Sequence, residues 1–113
     1  MVEIYHNSRC GKSRQTLKLL EERGEQVKIV EYLKEHPDKA TIKTIVSQLG
    51  ISPLDLIRKG EKIFKEQYKG KNLSDEDWID AMVDHPILIE RPIVIKEGRA
   101  ALGRPPENVL EIL

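Results

Sequence analysis

Residues 2–33 read VEIYHNSRCGKSRQTLKLLEERGEQVKIVEYL, and this stretch decides the fold. VEIY alternates and is rich in β-branched residues, which predicts a first strand ending near His6. From Ser13 the period changes. Leu17, Leu19 and Leu20 fall on one helical stripe, and Gly24 supplies a C-terminal stop. QVKIVEYL, residues 26–33, then reads as a second strand. Strand, helix and strand in so short a span form a βαβ unit, with a parallel pair and a right-handed crossover.

Beyond this unit the pattern turns helical. Asp38 or Thr41 is placed to cap IKTIVSQLG. Ser52-Pro53 offers an N-cap and a first-turn proline for a helix over LDLIRKG, ending near Arg58. EKIFKEQYKG predicts another short helix. Ser74, followed by Asp75, Glu76 and Asp77, predicts a capping box and an acidic first turn, opening a helix that His85-Pro86 ends. In ILIERPIVIKEGRAALG two apolar runs flank KEG, with Gly98 suited to a tight turn, so a β-hairpin is expected. PPENVLEIL reads as a final amphipathic helix. The order is β-α-β, helices, then β-β-α. The outer pieces match an α/β, thioredoxin-like fold with a mixed four-stranded sheet. The chain is expected to form one domain over 1–113, with a helical insertion at about 38–86.

The composition agrees with a folded domain. Of 113 residues, 39% are hydrophobic and 34% charged, enough apolar material for a modest core. The 19 basic and 19 acidic residues cancel, so there is no basic excess to mark a nucleic-acid footprint. No apolar run approaches the roughly 20 residues of a membrane span, and MVEIYHN is not a signal peptide. A protein of a reducing cytoplasm, monomeric and independent of membranes and nucleic acid, is the expectation.

The single cysteine, Cys10, excludes an internal disulfide. Its neighbours are polar or glycine, unlike those of a packing cysteine. It falls where the first strand ends and the first helix begins. There the unpaired N–H groups and the positive end of the helix dipole favour thiolate over thiol. A free cysteine titrates near about 8.5, and such surroundings lower it. His6, Arg9 and Lys12 are placed to add positive charge, and the Ser13 hydroxyl to donate to the sulfur. These features predict an activated nucleophile in an anion-binding concavity. Gly11-Lys12-Ser13 also looks like the end of a phosphate-binding Walker A loop. That motif requires a glycine where His6 stands, so nucleotide binding is the weaker interpretation.

No second cysteine stands in C-x-x-C register; Ser13 occupies that position. Reducing equivalents must therefore come from another molecule. Three arginines stand out by position: Arg58 at a helix end, Arg91 before Pro92, and Arg104 before Pro105; each taken alone also fits a solvated surface role, and only Arg91 and Arg104 fall near one end of the predicted sheet. The planar guanidinium can give an oxyanion two hydrogen bonds at once. In a thioredoxin-like sheet the turn before the third strand lies beside the first helix's N-terminus. A proline there is commonly cis, which makes Pro92 the candidate. His6, His36 and His85 have no metal-ligand spacing, so no metal site is expected. Only His6 is near Cys10 in sequence.

YHNSRCGKSRQTL, LIRKG, HPILIERPIV and GRPPENVLEIL occur here in this order and cover nearly the whole chain. Together they resemble the glutaredoxin-dependent arsenate reductase family, whose fold is thioredoxin-like with an inserted helical subdomain. The resemblance implies that Cys10 attacks arsenate to form a covalent adduct. Glutathione as co-substrate and glutaredoxin as partner then supply the electrons that release arsenite, with no bound cofactor. It implies that Arg58, Arg91 and Arg104 bind the oxyanion and that His6 and Ser13 tune the thiolate. Ser8 stands where many relatives carry proline, and Arg9 adds a charge some lack; both bear on loop rigidity and substrate preference. The superfamily also holds glutathione-dependent thiol oxidoreductases of other substrates, and regulators that bind the RNA polymerase α subunit. The redox-sensing regulators use C-x-x-C, which Ser13 removes here.

Overall fold

A four-stranded sheet of order β2-β1-β3-β4 organises the Cys10 end of the protein in the computed structural model, which describes residues 1–113. Its strands are β1 (Val2–Tyr5), β2 (Val27–Val30), β3 (Ile93–Lys96) and β4 (Arg99–Leu102). β1 pairs in parallel with β2, Val2 opposite Val27 and Tyr5 opposite Val30. It pairs antiparallel with β3, Val2 opposite Lys96. β1 is thus interior, and its Val2 and Ile4 are fully buried. Helix α1 (Gly11–Glu22) makes the crossover. Leu20 of α1 joins Val2, Ile4, Val94, Val109 and Ile112 in the core, with Leu17 and Leu19 packed at its margin. This is the thioredoxin-like α/β arrangement with a mixed sheet.

The chain folds as two compact units, Met1–Glu35 with Arg91–Leu113, and His36–Glu90. The helices expected at about 38–86 lie inside the second.

In the first unit, two elements differ from expectation. The second strand stops at Val30, and Tyr32–Glu35 form a single helical turn, α2, instead of continuing it. The Glu31 carbonyl accepts from the N–H groups of Lys34 and Glu35, both at 2.9 Å. The Glu35 carboxylate in turn accepts from the Glu31 N–H at 2.9 Å. That reciprocal bonding closes a helical turn locally and overrides the apolar continuation of the strand. The C-terminal segment Pro106–Ile112 is a 3-10 helix, not an α-helix. Its buried residues, Pro106, Val109 and Ile112, recur every third position, which is the 3-10 period. The hairpin turn is Glu97-Gly98, with φ of 50° and 77°. Left-handed backbone at both central residues suits the right-handed twist of the strands it joins.

In the second unit, α3 (Lys39–Leu49) begins at Asp38, whose carboxylate accepts from the Thr41 N–H at 2.8 Å. It ends at Gly50, in left-handed conformation with φ 69°. α4 (Lys62–Gln67) and α5 (Asp75–Asp84) follow, and the Ser74 hydroxyl accepts from the Asp77 N–H at 3.2 Å. Phe64 stacks on Trp78 with ring centroids 6.1 Å apart. The helix expected to reach Arg58 is a short 3-10 turn, Pro53–Leu56. The Leu56 carbonyl, needed for the next helical bond, instead accepts from the Glu90 N–H at 2.8 Å. The Arg58 N–H donates to the Leu88 carbonyl at 2.7 Å. Ile57 thereby bridges Ile89 in extended form, and Arg58 lies past the helix end.

Lys39 and Lys43 of α3 clasp α5 through Glu76, at 2.7 and 2.6 Å, and Lys39 also reaches Asp80 at 3.0 Å. Hydrogen bonds from these lysines hold the Glu76 carboxyl at about 2, down from its ordinary 4.5. A carboxyl depressed in the folded state stabilises it above the unfolded value, and the benefit is lost as pH falls through the folded value. Glu76→Gln should therefore lower the denaturation midpoint at neutral pH, and the gap from wild type should close between pH 4.5 and about 2. Because these groups are exposed, about 1 M salt, with a Debye length of about 3 Å, should also narrow it. Urea titrations of both proteins across pH and salt check this.

Candidate active site

β1 delivers the chain into a tight loop before α1. The His6 N–H donates to the Val30 carbonyl at 2.9 Å, extending the parallel pairing by one residue. The Cys10 N–H donates to the Asn7 carbonyl at 2.9 Å, the Arg9 N–H to the Asn7 side-chain oxygen at 3.0 Å, and the Arg14 guanidinium to the Ser8 carbonyl at 2.9 Å. These bonds fix the loop although Ser8 and Arg9 are exposed. They leave Cys10 as the N-cap of α1, with extended backbone at φ −92° and ψ 122°. Its carbonyl accepts the first helical bond, from the Arg14 N–H at 3.0 Å. The N–H groups of the first turn then have no helical partner.

Two of them, on Lys12 and Ser13, face the thiol. Burial of Cys10 opposes its ionisation. That is outweighed by a hydrogen bond from the Ser13 N–H, the positive charge of Arg91, a bond from the Lys12 N–H and a bond from the Arg91 side chain. The net effect places the thiol below its ordinary value of 9.0. Helix N-terminus and arginine act together here, as thiolate stabilisation requires.

The source of this charge differs from expectation. His6 is buried, and desolvation lowers its pKa. Glu31 opposes that shift and Arg14 adds to it. The imidazole is therefore neutral near pH 7 and brings no charge to the thiolate. Its Nδ1 lies 2.5 Å from the Ser13 hydroxyl, which also accepts from the Asn7 N–H at 3.1 Å. The Ser13 side chain thus ties the loop to His6, and it is the Ser13 backbone N–H, not the hydroxyl, that bonds the sulfur. Lys12 likewise acts through its backbone. The cation is Arg91, from the far end of the sequence.

Arg91 is only 8% exposed, a rare placement for arginine. Beyond its bond to the sulfur, its Nε and Nη1 are buried without a hydrogen-bond partner. A buried donor left unpaired costs about 1–3 kcal/mol, so this guanidinium suits an oxyanion arriving beside Cys10. Arg104 is joined to it: Arg104 Nη1 donates to the Arg91 carbonyl at 3.2 Å, and Asn108 Nδ2 donates to the Arg104 carbonyl at 3.1 Å. The Arg91–Pro92 and Arg104–Pro105 peptides are both cis; the second carries no signal in the sequence. Arg58 belongs to the His36–Glu90 unit, where it forms an ion pair with Glu61. The fold thus brings Cys10, His6, Ser13, Arg91, Pro92 and Arg104 into one unit.

Gly103 was not singled out by the sequence. Its backbone N–H donates to the Pro92 carbonyl at 2.9 Å, beside Thr16 of α1. A glycine directly before Arg104 was the one available clue.

Thiol alkylation followed against pH should give a Cys10 midpoint below about 8.5, the usual value of a free cysteine. Because ionisation creates the thiolate, losing a stabilising charge must raise the midpoint and slow alkylation at neutral pH. Arg91→Gln should do so strongly. Ser13→Ala keeps the backbone N–H and should do so less; the reverse ranking would contradict this assignment.

The ArsC family model matches residues 5–112. Escherichia coli (strain K12) YfgD is 49% identical, over 99% of this chain and 96% of its own length. The arsenate reductase of Neisseria meningitidis serogroup A is 43% identical, over 99% of this chain and 97% of its own. A solved arsenate reductase from Vibrio cholerae is similar with a TM-score of 0.95 at 46% identity, covering 99% of this chain and 97% of that one. A match spanning all but a few terminal residues, carried through the Cys10 loop and both cis-prolines, means that the chain belongs to the ArsC family.

Proposed function

We propose that this protein reduces arsenate to arsenite, with Cys10 as nucleophile and glutathione and glutaredoxin as external reductants. The observation that carries the proposal is the buried Arg91 guanidinium, which donates to the Cys10 sulfur and keeps two further nitrogens unpaired. A group that stabilises a thiolate and retains donors for a second anion suits a nucleophile that attacks an oxyanion. Arsenate is a tetrahedral oxyanion, and its reduction is the activity named for similar proteins such as that of Neisseria meningitidis.

In the proposed sequence the Cys10 thiolate attacks the pentavalent arsenic. An As–S bond forms, an As–O bond breaks, and the departing oxygen leaves as water after protonation. Arsenic is still pentavalent at this stage. Glutathione then attacks the adduct, and glutaredoxin completes the transfer of two electrons, so that arsenic leaves as trivalent arsenite and the thiol donors leave as a disulfide. The net change is arsenate plus two glutathione thiols giving arsenite, oxidised glutathione and water. Cys10 is regenerated as a thiolate.

Arg91 and the first-turn N–H groups serve both anions in turn, the thiolate before attack and the oxyanion during it. Arg104, bonded to the Arg91 carbonyl, adds positive charge on the same segment. The family pattern extends the oxyanion set to Arg58, whose guanidinium is held by Glu61 within its own unit. A lone thiol with no resolving cysteine accounts for the external reductants, and their presence fits a reducing compartment such as the cytoplasm.

An assay coupling arsenate reduction to NADPH oxidation through glutaredoxin, glutathione and glutathione reductase tests this. Wild-type protein should consume NADPH only when arsenate is present, and Cys10→Ser should abolish turnover. Arg91→Lys should lower kcat/KM by about 10²–10³-fold, the usual cost of losing one well-placed oxyanion donor. Turnover of a glutathione mixed disulfide without arsenate turnover would assign the protein to the thiol oxidoreductases instead.

A further inference from the structure

Gly103 lies at a three-way junction. A Cβ placed on it would sit 2.5 Å from the Thr16 hydroxyl oxygen, 2.7 Å from Pro92 Cγ and 3.1 Å from Thr16 Cγ2. Neither neighbour can yield cheaply. Thr16 is fully buried in α1, and its hydroxyl donates to the Lys12 carbonyl at 2.8 Å. Pro92 is a ring within a buried segment. The φ of Gly103 is not in the left-handed region, so space and not backbone conformation requires glycine here.

Each wall of the junction leads directly to the reacting groups. Thr16 stands one helical turn beyond Lys12 and Ser13, whose N–H groups bond the sulfur. Pro92 is bonded covalently to Arg91, and its carbonyl accepts from the Gly103 N–H at 2.9 Å. Arg104, next in the chain, donates to the Arg91 carbonyl. A side chain at position 103 would wedge the helix that carries the thiol away from the segment that carries its cation.

We infer that Gly103 is a positioning residue: its bare backbone sets how closely the Arg91 segment approaches α1, and so how closely the guanidinium approaches the Cys10 sulfur. The inference rests on Cys10 being the nucleophile, as proposed above, and not on which oxyanion it attacks. Interiors are close-packed, so a methyl group inserted here is transmitted as displacement instead of being absorbed.

The test is alkylation of Cys10 against pH in wild type, Gly103→Ala, Thr16→Ala and the double variant Gly103→Ala/Thr16→Ala. Ile42→Ala, a core truncation in the other unit, controls for general loss of stability. Gly103→Ala should raise the midpoint and slow alkylation near neutral pH by about three- to tenfold, as when a close charge partner is displaced but not removed. The double variant removes both Thr16 contacts but keeps the 2.7 Å approach to Pro92 Cγ, so it should recover part of that loss relative to Thr16→Ala alone. Ile42→Ala should melt earlier with an unchanged midpoint. The inference is overturned if Gly103→Ala alkylates as wild type does, if Ile42→Ala shifts the midpoint equally, or if the double variant recovers nothing. Should Gly103→Ala not fold, the double variant decides alone: folded with a midpoint above that of Thr16→Ala supports the inference, because Pro92 Cγ still stands 2.7 Å from the added Cβ, and folded with the Thr16→Ala midpoint, or unfolded, refutes it. A wild-type midpoint that is itself unshifted would instead remove the nucleophile assignment, so the two failures are distinguishable.

Discussion

The contact between the Arg91 guanidinium and the Cys10 sulfur is the interaction on which the site depends. Each group is unfavourable where it stands if the other is absent. A buried thiolate is opposed by desolvation, and so is a buried guanidinium. Together they offset that penalty, with the Lys12 and Ser13 N–H groups completing the shell around sulfur. The sheet exists, in functional terms, to bring the two together. β1 ends beneath the loop that carries Cys10, and β3, paired antiparallel to β1, begins directly after Arg91-Pro92. Adjacent strands running in opposite directions place the end of one beside the start of the other. The 81 positions that separate Cys10 from Arg91 in sequence are thereby closed by a strand register.

This chain carries no second cysteine beside Cys10. A dithiol site stores its own reductant next to the nucleophile. Here that position is Ser13, whose backbone N–H is spent on the sulfur and whose hydroxyl is spent on His6 and Asn7. The loop is built to hold an anion and not to form a disulfide. His6, neutral through burial, is a brace for this loop and not a source of charge.

Much of this was legible in the sequence because it is encoded locally. The β-branched VEIY, the leucine stripe of α1, the caps at Asp38 and Ser74 and the Glu97-Gly98 turn are all short-range signals, and each appears where the sequence predicts it. What was not legible is set by partners distant in the chain or by competition for a single carbonyl. Glu90 claims the Leu56 carbonyl and ends a helix that composition alone would carry to Arg58. Glu35 folds back on Glu31 and shortens the second strand. The three-residue spacing of Pro106, Val109 and Ile112 was present to be read, yet it resembles an amphipathic α-helix over so short a span. At the site, proximity in sequence pointed to His6, Arg9 and Lys12 as sources of charge, whereas the fold supplies Arg91. The tight fit at Gly103 needs three segments at once, and the glycine itself is its one mark in the sequence.

The central claim is that one buried arginine serves the thiolate and the incoming oxyanion in turn. It is tested most directly by measuring how arsenate protects Cys10 from alkylation in the absence of any reductant, in wild type and in Arg91→Gln, each at a pH matched for equal thiolate. The account predicts saturable protection in wild type that is largely lost in the variant. Protection of equal strength in both proteins, or none in wild type, would contradict it.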